Sequence, residues 1–282
     1  MCPLNHVNSD YEGIMNLSAY VKEIRQKGQR SFTLVQLIKD QNLSNNAAIN
    51  AIARLRKQGD LITPAKGLYI IVPPEHQPYG SIPAEELVPI LMQYLQADYY
   101  VSLLSGAGYH GATHQKPGRF QVITNKRVKH PLEFGRVKLE LVYKKSLASL
   151  PIQNLTVATG YLKVATPELV ALDLLTYPRR SGGLNHIATV LTELVEAIDA
   201  DKLIKLAEII GEKAQLQRLG YILEQLDTME EEKKLLLIDK LIKYLDGKIS
   251  LYVPLASELP KKSFPRIGKW RIIANTNIES DL

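Results

Sequence analysis

The stretch LSNNAAINAIARLRKQGDLI, Leu43 to Ile62, admits few folds. Ser44 can start a helix by accepting a backbone N–H, and Gly59 can stop it by taking a left-handed conformation. Between them Ala48, Ile52 and Leu55 recur at helical spacing, so one side can be buried. Leu61-Ile62-Thr63 then begins a strand. Upstream, Leu17, Tyr20, Val21 and Ile24 predict a helix that ends at Gly28. Thr33 is placed to cap a second, short helix whose apolar positions are Leu34, Leu37 and Ile38. Asn42 and Leu43 make the turn into the third. Downstream, Pro64-Ala65-Lys66-Gly67 turns the chain into Leu68–Val72, which predicts a β-hairpin. Helix, helix, turn, helix, hairpin is the order of a winged helix-turn-helix, expected over residues 16–74.

On a helical wheel the third helix divides cleanly. Asn46, Arg54 and Lys57 fall within about 40° of Asn50, while Ala48, Ile52 and Leu55 fall on the far side. Asn pairs with an adenine edge, Arg with guanine, and Lys with phosphates. Ser44 and Asn45 stand at the helix N-terminus, where free N–H groups can take a phosphate. Lys66 is placed at the hairpin tip, within reach of an adjacent groove. Polar residues belong on the outside of any helix, so the stripe alone decides nothing. The turn before it and the hairpin after it favour DNA, although winged folds also bind proteins.

A chain of 282 residues is long enough for two domains. Residues 1–15 are expected to be a flexible tail. Pro73, Pro74, Pro78, Gly80 and Pro83 mark a linker over 75–84. Residues 85–282 form the second domain in this reading. There, Glu85–Gln96 predicts a helix, Tyr99–Leu104 is apolar, and SLLSGAGYHG predicts a short helix closed by Gly111. Phe120–Thr124, Gly135–Tyr143 and Tyr161–Ala165 predict strands. Thr166-Pro167-Glu168 opens a helix. Amphipathic helices are predicted over 185–199, 201–211, 213–226 and 229–245, and the Pro-rich end with Trp270 returns to extended structure. The expected class is α+β: a winged helix-turn-helix, then a larger mixed domain with a small sheet and a C-terminal helical bundle.

Charge is unevenly spread along the chain. Residues 101–150 hold nine Lys or Arg against two Asp or Glu, whereas residues 181–247 hold eight against thirteen. The basic block is either a solvated face or a surface for an anionic partner, nucleic acid or acidic protein. Tyr99, Tyr100, Tyr109 and Phe120 beside it suit base stacking, but a core with tyrosine hydroxyls at its edge is the simpler reading.

Chemistry is sparse. KPGR and YPRRSGG match neither nucleotide-binding fingerprint. His110 and His114 are spaced i, i+4, but HGATH lacks the metalloprotease glutamate, so no metal is expected. The single cysteine, Cys2, can form neither an internal disulfide nor a thiolate metal cluster. No cofactor, no catalytic residue and no enzymatic activity are expected. MCPLNHVNSDYEGIM has no secretory-signal pattern and no run of 18 apolar residues occurs, so a cytoplasmic location off the membrane is expected.

The segments KGLYIIVP, YYVSLLSGAGYHG, VATPELVALDLL and QRLGYILEQL, then the tail with WRIIAN, are ordered and spaced as in the AbiEi antitoxins. The chain resembles that family over roughly residues 16–275. The resemblance implies an antitoxin of a bacterial phage-defence toxin–antitoxin pair. Its winged domain would bind inverted repeats in its own promoter as an autoregulatory repressor. Its C-terminal domain would oppose a toxin resembling a nucleotidyltransferase, directly or indirectly. DNA contacts would come from Ser44, Asn45, Asn46, Asn50, Arg54, Lys57 and Lys66, although the single lysine of PAKG is a less basic wing than the family's. The family offers no short motif for neutralisation. The basic block nominates Lys116, Arg119, Lys126, Arg127, Lys129, Arg136 and Lys138, divided by strand alternation between two faces. The alternative is a ligand-responsive winged-helix transcription factor with no toxin partner.

Overall fold

The computed structural model describes residues 17–113, 117–128 and 131–279. The fold is α+β. The chain divides into two compact units, the first made of residues up to Leu95 together with Leu132–Lys138, the second of Gln96–Pro131 and Leu139 onward.

In the first unit, α1 (Leu17–Gln26), β1 (Ser31–Thr33), α2 (Leu34–Gln41), α3 (Asn45–Gln58), β2 (Leu61–Ala65) and β3 (Leu68–Ile71) follow in that order. The anticipated helices and hairpin are present, with the caps in their expected places. Thr33 Oγ1 accepts from the Gln36 N–H at 3.1 Å. Asn42 takes the left-handed turn at φ 49° and Gly59 at φ 84°. The strand β1 is an addition to the expected order. It pairs antiparallel with β3, giving the sheet order β1-β3-β2. Phe32 of β1 is buried against Tyr20, edge to face at 5.6 Å, in a core with Leu37, Ala48, Ile52 and Leu55. Residues Pro74–Tyr79, expected as linker, form a 3-10 turn, and α4 (Ala84–Leu95) follows it. The strand Leu132–Phe134 and the turn after it return to this unit. There Gly135 crosses Gly80 backbone to backbone, and the Arg136 N–H donates to the Tyr79 carbonyl at 2.8 Å.

The second unit begins with β4 (Tyr99–Val101), α5 (Leu103–Tyr109) and β5 (Phe120–Thr124), and the strand Leu132–Phe134 that returns to the first unit is β6. Then come β7 (Val137–Tyr143), β8 (Ile152–Val157) and β9 (Gly160–Ala165). The sheet order is β6-β7-β5-β4-β9-β8. Pairs β4–β9 and β5–β7 are parallel, while β4–β5 and β8–β9 are antiparallel. Helix α6 (Pro167–Thr176) is buried at every position from Glu168 to Leu175. A helix buried all round must lie inside a layer of other elements. Around it stand α5, α7 (Leu184–Leu194), α8 (Ala200–Ile210) and α9 (Lys213–Gln225), and α10 (Glu231–Leu245) packs outside them on α8 and α9. The Pro-rich end forms a small sheet from β10 (Val253–Pro254), β11 (Arg266–Ile267) and β12 (Ile272–Ile273), in the order β10-β12-β11. Trp270 is fully buried over Gly220 of α9, and its indole N–H donates to Glu224 Oε2 at 2.6 Å.

Candidate nucleic-acid interface and a buried polar network

Helix α3 is set by its two ends and its core side. Ser44 Oγ accepts the Ala47 N–H at 3.2 Å, which fixes the first turn. Ala48, Ile52 and Leu55 are buried. Asn46, Asn50, Arg54 and Lys57 are all exposed, as are Ser44 and Asn45. The stripe anticipated from the wheel is therefore one open surface. Lys66 is exposed at the hairpin tip, and its carbonyl accepts the Tyr94 hydroxyl at 2.7 Å. This bond ties the tip to α4, and Gly67 at φ 82° closes the turn.

Beside the stripe the structure adds residues that the wheel did not nominate. Ile49 is 45% exposed and Ala53 is exposed, on the flank of α3 about 100° and 60° from Asn50. Val35, at the start of α2, is 76% exposed. Ile49 and Ala53 on that flank suit thymine methyls. The signal for them was available: both α3 residues lie outside the arc of Ala48, Ile52 and Leu55. Arg56 and Lys57 line an open groove with Ala53, the β2 residues Leu61–Thr63, and Glu133 and Phe134.

The basic block is divided between the two units. Arg136 and Lys138 are exposed and belong to the first unit, whereas Arg119, Lys126 and Arg127 belong to the second. Arg119 precedes β5 and is half-buried, while Lys126 and Arg127 follow the strand's other end and are exposed. The Arg127 guanidinium lies 4.1 Å from the Tyr143 ring centroid. Lys116 and Lys129 lie outside the described residues, as do His114, Cys2 and the expected tail. His110 turns its ring nitrogen to the Ala165 carbonyl at 2.7 Å. Among the described residues no three His, Cys, Asp or Glu side chains gather as metal ligands, and no helix is long and apolar enough to cross a membrane.

The second unit holds a polar network that sequence reasoning missed. Asp173 of α6 is 1% exposed. Its Oδ2 accepts from the Tyr100 hydroxyl at 3.0 Å and the Ser102 hydroxyl at 2.9 Å, and its Oδ1 from Lys144 Nζ at 3.0 Å. Burial pushes the Asp173 carboxyl above its usual range, against the pull of the Lys144 ammonium. Burial, then the Asp173 charge, pushes the neighbouring Tyr177 hydroxyl up to about 12. A second cluster centres on Gln121, whose side chain accepts the Leu104 N–H and donates to Glu140 and to the Arg180 carbonyl. Arg180 in turn pairs with Glu140. These clusters join α5, β5, β7 and α6, and they satisfy the polar groups that the helices bury. Tyr99 and Tyr100 are core residues here, while Tyr109 is 39% exposed.

Residues 100–225 match a family model described as the AbiEi antitoxin C-terminal domain. Among solved structures, the fold is similar to that of the RV2827C protein from Mycobacterium tuberculosis. The two are 18% identical, with 90% of this chain and 89% of that one covered and a TM-score of 0.62. A second comparison, to an antigenic nucleotidyltransferase-like protein from Paracoccidioides brasiliensis, gives 12% identity over 40% of this chain and 73% of that one. Its TM-score is 0.29. No curated protein matches the sequence.

Proposed function

We propose that this chain is an antitoxin that also represses its own operon, a reading supported by the match of residues 100–225 to the AbiEi antitoxin C-terminal domain. In this reading the second unit opposes a nucleotidyltransferase-like toxin in the cytoplasm. The first unit, read as a winged helix, binds inverted repeats in the promoter. The observation that carries the DNA half is α3 itself: capped at Ser44, anchored by Ala48, Ile52 and Leu55, and open along Asn46, Asn50, Arg54 and Lys57. Asn50 and Arg54 sit at the centre of the stripe and are assigned to base edges. Lys57 and Lys66 are assigned to phosphates, and Ser44 and Asn45 to a phosphate at the helix start. Arg119, Lys126 and Arg127 remain the candidates for the antitoxin surface in the second unit.

The test uses the full chain. The double variant Asn50→Ala/Arg54→Ala is expected to lose specific binding to its upstream DNA by roughly 100-fold, since each base contact contributes about 1–3 kcal/mol. It is expected to neutralise a co-expressed toxin as well as the unaltered protein. Full repression by the double variant would remove α3 from the reading. Loss of neutralisation would remove the division of labour. A second reading, a ligand-responsive regulator with no toxin partner, draws support from a cavity of about 460 Å³ in the second unit, lined by Tyr143, Leu172, Tyr177 and Ile209. DNA affinity that responds to a small molecule, with no toxin encoded alongside, would favour it.

A further inference from the structure

The C-terminal end of the second unit carries a positive surface that the proposed function leaves unused. Residues 248–273 hold six Lys or Arg against a single acid, Glu258. Two of the six are brought together by the fold. The guanidinium carbons of Arg266, on β11, and Arg271, just before β12, stand 5.4 and 5.5 Å from the centroid of one ring, that of Tyr252. Among the described residues neither arginine pairs with a carboxylate, and the nearby Glu224 is taken by Lys269 and the Trp270 indole. The ring steadies both guanidinium groups and leaves their N–H edges open to an acceptor.

The chain around them is held firmly. The buried side-chain amide of Gln217, on α9, donates to the carbonyls of Leu251, Trp270 and Arg271 at 3.3, 2.9 and 3.1 Å. Arg271 takes the left-handed backbone at φ 51°, and Ser263 does so at φ 69°. That conformation is costly for a residue with a Cβ, and it is retained where the surroundings hold it, often at a binding site. Ser263 leads into Phe264, which is 41% exposed and two residues from Arg266. The charge continues along α9. Lys213 at its start donates to the Lys248 carbonyl at 2.9 Å, and Lys269 pairs with Glu224 near its end. Residues 213 to 224 span about 16 Å of helix. Glu212 and Asp246 stand beside Lys213 and Lys248 in sequence, so the field is strongest at the two arginines.

A row of cations fits a chain of phosphates, and an open aromatic ring fits an unpaired base. A duplex hides the faces of its bases, whereas RNA loops and ends display them. An acidic polypeptide would answer the cations and leave Phe264 unused. We infer that this surface binds single-stranded nucleic acid, with Arg266 and Arg271 on neighbouring phosphates and a base stacked on Phe264. The inference needs neither the DNA reading of α3 nor the antitoxin reading.

The test uses the full chain carrying Asn50→Ala/Arg54→Ala, which removes the share of α3. It is titrated with a strand of about 12 nucleotides, as RNA and as DNA of the same sequence, with the RNA duplex, and with polyglutamate. A single strand is expected to bind more tightly than the duplex or polyglutamate, and the tighter of the two strands identifies the source. Arg266→Gln/Arg271→Gly is expected to keep Tm, because glycine accepts the left-handed turn. It is expected to weaken strand binding roughly tenfold or more and to lower the slope of log affinity against log salt by about 1.4, for two phosphates. Phe264→Ala is expected to weaken strand binding roughly tenfold with the slope unchanged. Absence of strand binding overturns the inference. So does polyglutamate binding as tight as the strand, which would make this a surface for acidic protein. Unchanged strand binding in either variant overturns it as well.

Discussion

Asp173 is the residue whose chemistry most affects the second unit. A carboxylate with three donors, one of them an ammonium, is far better off than one left alone at the same depth. Lys144→Met removes the cation and leaves the charge, and is expected to cost about 3 kcal/mol in chemical denaturation. Adding Asp173→Asn to that variant is expected to restore most of the loss, because the two residues act as one unit. Tyr177 gives a pH signature. Its folded hydroxyl ionises at about 12 rather than the ordinary 10. Between those values the folded state holds a proton that the unfolded state releases, so stability falls as pH rises from 10 toward 12. Tyr177→Phe is expected to make Tm fall less steeply across that window, leaving the share due to Tyr20, Tyr99, Tyr100 and Tyr244, whose hydroxyls burial also pushes up.

At the scale of elements, the close crossing of Gly80 and Gly135 is a sharp packing constraint. A Cβ on Gly135 would stand 2.1 Å from the Tyr79 carbonyl oxygen, on a backbone already at φ 55°. Gly135→Ala is expected to lower stability by about 2 kcal/mol or more, through both clash and backbone strain. Gly111 is the control: it sits at φ 76°, and an added methyl there would meet no atom within 4 Å. Gly111→Ala carries only the backbone term and is expected to cost about 1 kcal/mol. Thermal melting of the two variants checks both values. The same elements show what the sequence could disclose. Helix α3 was legible because its caps, core side and open side lie within 16 residues, Ser44 to Gly59. Strands β1 and β6 were not, because three residues carry no period and their partners are set by tertiary pairing. Asp173 stood in LVALDLL as an acid within an apolar run. Its meaning was hidden, since Tyr100, Ser102 and Lys144 lie 73, 71 and 29 residues away in the chain.

For the whole molecule, charge is shared between two units that the linear sequence does not separate. Arg136 and Lys138, in the same basic block as Arg119 and Arg127, belong to the unit that contains α3. Their proposed role therefore moves toward DNA. Arg136→Ala/Lys138→Ala is expected to weaken DNA binding and reduce the slope of log affinity against log salt by up to about 2. Lys126→Ala/Arg127→Ala is expected to leave that slope unchanged and to weaken neutralisation in a co-expression growth assay. A matched change of slope in both variants would count against separate roles for the two units.

The return of residues 132–138 to the first unit also bears on how such a protein can be inherited in parts. A recombination event that replaced everything before residue 96 would bring in a new N-terminal region without the strand and glycine turn that complete it. Gly135 would then face a backbone it was not selected to cross. If α3 reads an operator as proposed, exchange of specificity between relatives is thus steered toward point changes along α3, and away from wholesale substitution of the N-terminal region.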